Sequence, residues 1–90
     1  MGASTVQVKH AGDNALDSLE SVLAEVRRLS ALKEKKRGVF YRRSSAFLHF
    51  HEDPLGLFAD LRTATGWTRL AVNTATEQQT LLSRVAEEVA

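Results

Sequence analysis

The chain contains no cysteine, which removes disulfides, thiolate metal ligands and a cysteine nucleophile, and leaves nothing that points to an oxidising compartment. No apolar run approaches the roughly 20 residues of a membrane span, and no charged start followed by an apolar segment marks a secretory signal. The expectation is a soluble, cytoplasmic protein that does not engage a membrane. Met1-Gly2 opens like a myristoylation site, but the Ser or Thr required at the sixth position is Val6. Gly38, Gly56 and Gly66 stand singly, so no glycine-rich phosphate loop exists. Net charge is only +1, which alone predicts nothing about acidic partners.

At 90 residues the chain is one domain, and a domain of this size buries only about 60–65% of the surface its unfolded chain exposes. Residues 1–13 are small and polar without periodicity and are expected to be poorly ordered, leaving 14–90 as the folded unit. Charge is unevenly placed along it. Between Arg27 and Arg43 lie eight basic residues and one acid, whereas from Ala46 onward there are six acids and three bases. Those halves can complement each other within the fold or across a dimer.

The most organised stretch is FLHFHEDPLGLFAD, Phe47 to Asp60. Leu48 and Phe50 share one side of an extended chain while Phe47, His49 and His51 share the other. Asp53-Pro54-Leu55-Gly56 supplies the reversal: proline sets φ for the second turn position, glycine suits the fourth, and aspartate at the first can bond its own backbone. Pairing Glu52 with Leu57 then sets Phe50 opposite Ala59, Leu48 opposite Leu61, His49 opposite Asp60 and His51 opposite Phe58. One face of the hairpin is uniformly apolar in this register and in no neighbouring one.

Around the hairpin, Asn14 reads as an N-cap with Asp17 in the first turn. Leu16, Leu19, Leu23, Val26 and Leu29, widened by Val22 and Leu32, give a helical stripe that predicts one long helix stopping before Gly38. Val39–Arg42 predicts a strand, whose inward side is either Phe40 or the Val39/Tyr41 pair. A strand over 67–72 follows the loop Thr63-Ala64-Thr65-Gly66, with Leu70 and Val72 opposite Trp67 and Arg69. Thr74-Ala75-Thr76-Glu77 matches a capping box and opens a second helix with Leu81, Leu82, Val85 and Val89 on its apolar stripe. The order helix, four strands, helix predicts an α+β fold: a four-stranded antiparallel meander with both helices on one sheet face.

That arrangement leaves Phe47, His49, His51, Phe58, Asp60, Trp67 and Arg69 on the other face, a set too aromatic for water alone. The preferred reading is an interaction module that forms a homodimer or binds a partner protein through Phe47, His49, His51, Phe58, Trp67 and Arg69, without a cofactor. Two further readings compete. His49-x-His51 places two imidazoles about 6–7 Å apart on one strand face, and Asp60 adds a carboxylate, a set suited to a divalent metal such as zinc or manganese. The plainer reading is an ordinary His49–Asp60 cross-strand pair, with His51 stacked on Phe58 or wet. The basic run Lys33, Lys35, Lys36, Arg37, Arg42 and Arg43, with Tyr41 and Phe40 among it, suits nucleic-acid phosphates, although a solvated helix end beside a charge-protected edge strand is the favoured explanation. An enzyme is disfavoured: His49 and Asp60 resemble two members of a nucleophilic triad, but Ser44, Ser45 and Thr68 form no nucleophile elbow.

From Arg37 to about Val85, the residues GVFYRRSSAFLHFHEDPLGLFADLR, then WTRLAV and a capped helix, resemble small actinobacterial proteins of unknown function. The order of elements is more loosely similar to YjbR-like and luciferase-domain-like α+β modules. Neither resemblance implies catalytic residues, and the nucleic-acid role suggested for some YjbR-like modules adds only slightly to the phosphate reading.

Overall fold

A computed structural model of the chain describes residues 9–90. In chain order these form β1 (Lys9–His10), α1 (Asp13–Ser18), α2 (Glu20–Arg27), β2 (Leu32–Lys36), β3 (Val39–Arg42), β4 (Ser45–Asp53), β5 (Gly56–Thr63), β6 (Gly66–Ala71) and α3 (Ala75–Val89). The chain is α+β with an antiparallel sheet and a C-terminal helix. Strands β2 to β6 lie side by side in chain order, and β1 pairs with the far half of β4, beyond the end of β3.

The β4–β5 hairpin has the register its alternation dictates: Leu48 faces Leu61, His49 faces Asp60, Phe50 faces Ala59, His51 faces Phe58 and Glu52 faces Leu57. Asp53 Oδ1 accepts the Leu55 amide at 2.7 Å, so the turn aspartate bonds its own backbone as such turns favour. Gly56 sits at φ +134°, a conformation that side chains resist. Beyond the end of β6, Asn73 acts as a stand-in strand: its Oδ1 accepts the Leu57 amide at 2.8 Å and its Nδ2 donates to the Leu57 carbonyl at 3.2 Å.

The helices cover one sheet face. Leu16, Leu19, Val22, Leu23, Val26, Leu81 and Val85 pack with Phe40, Leu48, Phe50, Ala59, Leu61 and Val72 in one buried cluster, which makes Phe40 the inward residue of β3. Helix α3 opens on the expected capping box, with Thr74 Oγ1 accepting the Glu77 amide at 3.1 Å and Glu77 Oε1 accepting the Thr74 amide at 3.2 Å. Among the described residues no helix is long and apolar enough to cross a membrane.

Three expectations are corrected. The single long N-terminal helix is two short ones broken at Leu19, which has φ −102° and ψ 10°, and the N-cap is Gly12 rather than Asn14. The chain then leaves the helical path at Arg28, and Leu32–Lys36 pairs with β3 instead. Glu34 drives this change: it points at α2, takes Arg27 at 2.6 Å and accepts the Gly38 amide at 2.9 Å, so tertiary contacts override the helix propensity of Lys and Glu. With β1 and β2 the expected four strands become six. The expected tail 1–13 falls outside the described residues up to Val8, and its remainder forms β1 and the start of α1. Finally, Phe47 leaves the open face. A bulge pairs Phe40 with Leu48 but Tyr41 with Ala46, so Phe47 is the extra residue and joins the core at 4% exposure.

Because Phe47 is a core residue, Phe47→Ala should lower unfolding free energy by roughly 3–5 kcal/mol in urea titrations. A loss under about 1 kcal/mol would refute its burial.

Candidate functional site

The open face is built outward from β4, whose period of two sets His49 and His51 side by side on the side away from the helices. Strand β1 runs antiparallel to it with His10 directly opposite His51, which adds a third imidazole. The ring centres are 5.7 Å apart for His10 and His49, 5.4 Å for His10 and His51, and 5.9 Å for His49 and His51. On the other side β5 contributes Asp60, and β6 contributes Trp67 and Arg69 through the pairs Asp60–Arg69 and Arg62–Trp67.

Asp60 is committed to Arg69, which clamps it with Nε at 2.8 Å and Nη2 at 2.9 Å. Its remaining neighbour is His51, whose Nε2 lies 3.0 Å from Asp60 Oδ2 but without hydrogen-bond alignment. The Arg69 guanidinium holds the Asp60 carboxyl below the usual carboxylate range, against the opposing effect of burial. The Trp67 ring centre stands 5.0 Å from that of His49 and 5.5 Å from the Arg62 guanidinium, and Trp67 is 45% exposed.

Of the expected interface set, His49, His51, Phe58, Trp67 and Arg69 share this face, while Phe47 does not. The expected metal set His49, His51 and Asp60 shares it too, but Asp60 spends both oxygens on Arg69. The expected His49–Asp60 side-chain pair is replaced by a diagonal His51–Asp60 contact, and His51 stacks on His10 rather than Phe58. Among the described residues no three His, Asp or Glu side chains form a group ready to hold a metal ion.

The basic run is dispersed. Lys33 pairs with Tyr41 across β2 and β3, and Lys35 Nζ lies 5.5 Å from the Tyr41 ring centre. Lys36 ends β2, and Arg43 occupies a turn at φ 58°. Arg37 is engaged by Asp17 and Glu20, each at 2.9 Å, and Arg42 donates to the Glu88 carbonyl at 2.8 Å, near the end of α3. Sequence reasoning missed His10 and Arg62. A two-residue strand has no period to read, whereas Arg62 was legible as the cross-strand partner of Trp67.

No protein-family model matches the chain, and neither does a curated protein or a solved structure.

Burial pushes the His49 pKa below its ordinary value; His51 and His10 push the same way and Asp60 opposes them. A histidine whose folded pKa is depressed gives stability that is complete above its unfolded pKa of about 6.5 and is lost as pH falls below it, because the unfolded chain binds the proton more tightly. The groups around His49 are His10 from β1, Lys35 and Lys36 from β2, Tyr41 from β3, His51 from β4, Asp60 from β5 and Trp67 from β6. In chelator-containing buffer, Tm should therefore drop between pH 7.5 and 5.5, and His49→Gln should flatten the drop. The carboxylate of Asp60 acts in a separate window, below about pH 4. A wild-type Tm level across the histidine window would refute the reading.

Proposed function

We propose that the chain is an association module whose working surface is the sheet face opposite the helices, and that its occupant is a second copy of the chain. The observation that carries this reading is Trp67, the largest exposed apolar side chain apart from Leu55 at the hairpin turn. It is braced between His49 and Arg62, so little side-chain entropy remains to be lost on docking. Tryptophan and arginine are the residue types that dominate interface energetics, and Arg69 beside them is already oriented by Asp60.

A second copy is the simplest occupant, because an isologous twofold presents the same Trp67–Arg69 patch to itself. The phosphate reading keeps Lys33, Lys35, Lys36 and Arg43, since Arg37 and Arg42 are occupied within the fold, and is the weaker one at a net charge of +1.

Multi-angle light scattering over a concentration series should give twice the 9.9 kDa chain mass for wild type. Trp67→Ala should weaken the dimer by about 2 kcal/mol, roughly 30-fold in Kd. A monomeric mass for wild type throughout, or an unshifted dimer in Trp67→Ala, would reject the proposal.

A further inference from the structure

The three imidazoles on the open face have a second use that does not depend on association. We propose that His10, His49 and His51 form a three-histidine site for a borderline divalent cation, zinc foremost, with Asp60 and Arg69 as its outer support.

Spacing is the first argument. Zinc binds imidazole nitrogen at about 2.0–2.1 Å, which puts each ring centre roughly 3.2 Å from the ion. Three such rings are then about 5.2 Å apart at tetrahedral angles and about 5.5 Å apart at trigonal ones. The observed separations of 5.4, 5.7 and 5.9 Å lie within about half an ångström of that range. What the arrangement lacks is aim, since the rings of His10 and His51 lie stacked at 27°. His10 is exposed, so its ring can turn toward solvent, and the terminal torsion of histidine is broad.

The second argument is independent. Both ring nitrogens of His51 are shut off from solvent, and among the described residues neither makes an aligned hydrogen bond. A buried polar atom without a partner is costly and uncommon. An ion taken by one nitrogen, with the other turned onto Asp60 Oδ2 at its present 3.0 Å, satisfies both at once. A carboxylate behind a ligating histidine is the usual outer support of such sites, fixing tautomer and ring direction. Here that carboxylate is itself locked by two bonds from Arg69.

The donor set selects the metal. Three imidazoles and no free carboxylate suit zinc, copper or nickel rather than magnesium or calcium, and they fit manganese less well than the set containing Asp60 would. The helices lie on the opposite sheet face, which leaves a fourth position on the ion for water or a partner's side chain.

The test uses the full chain, stripped with chelator and titrated with zinc chloride by calorimetry at pH 7.5, with cobalt(II) absorption as a report of tetrahedral nitrogen ligation. Wild type should bind one zinc per chain with a rise in Tm, and manganese should bind more weakly. His10→Ala is the decisive variant because an exposed side chain can be removed without unfolding the protein, and it should weaken zinc binding at least ~10-fold. Asp60→Asn should weaken binding by roughly 10–100-fold while leaving one zinc per chain. Absence of saturable one-to-one binding in wild type would overturn the proposal, as would His10→Ala and His49→Gln both binding zinc as tightly as wild type.

Discussion

The pairing of β4 with β5 is the constraint from which the rest of the structure follows. The Asp53–Gly56 turn fixes where the chain reverses, and strict alternation then assigns every side chain of both strands to a face. Leu48, Phe50, Ala59 and Leu61 go beneath the helices and are buried to 1% exposure or less. In the same stroke His49, His51, Phe58 and Asp60 go to the other face. Neighbouring strands inherit the assignment: Arg69 is brought opposite Asp60 and Trp67 opposite Arg62 on β6, and His10 opposite His51 on β1. Core and candidate site are therefore two consequences of one register. A slip of one residue would lose both.

Charge is handled differently on the two sides of the sheet. On the helix side, Arg27 bridges Glu20 and Glu34, and Arg37 bridges Asp17 and Glu20, tying α1 and α2 to the β2–β3 turn. These pairs are largely solvated, so each adds little stability; their effect is to fix geometry and to occupy two arginines that would otherwise look available to a ligand. On the open side, Asp60 faces Arg69 and lies beside His51. Arg69 claims both its oxygens, and the imidazoles are left as the principal uncommitted polar groups.

How much of this was legible in the sequence depends on whether a local rule stood alone or competed with a distant contact. The hairpin was readable because turn chemistry and alternation agree over fourteen residues, and the C-terminal helix was readable because its cap is local. LKEKK was misread as the end of a helix: its residues favour helices, and it is a strand through its pairing with β3, with Glu34 meeting Arg27 and the Gly38 amide. Phe47 was misplaced because alternation counts residues, whereas the bulge against Tyr41 inserts one that the pattern does not show. His10 depended on a segment that becomes a strand only by docking on β4, where the Ala11 amide reaches the Phe50 carbonyl at 3.0 Å and the Gly12 amide reaches Glu52 Oε2 at 2.6 Å.

The two proposed uses of the open face bear on each other through charge. A divalent cation held by three neutral imidazoles adds two positive charges beside Lys33, Lys35, Arg62 and Arg69, with the Asp60 carboxylate already paired. In an isologous pair the same surface meets itself, so both copies carry the added charge, and metal occupancy disfavours pairing unless a group from the partner completes the ion's fourth position. Linkage makes the effect mutual: whatever factor metal imposes on association, association imposes on metal affinity. On the proposed reading, Trp67 sets where the two copies meet, and a metal on the histidine cluster tunes how strongly they do so.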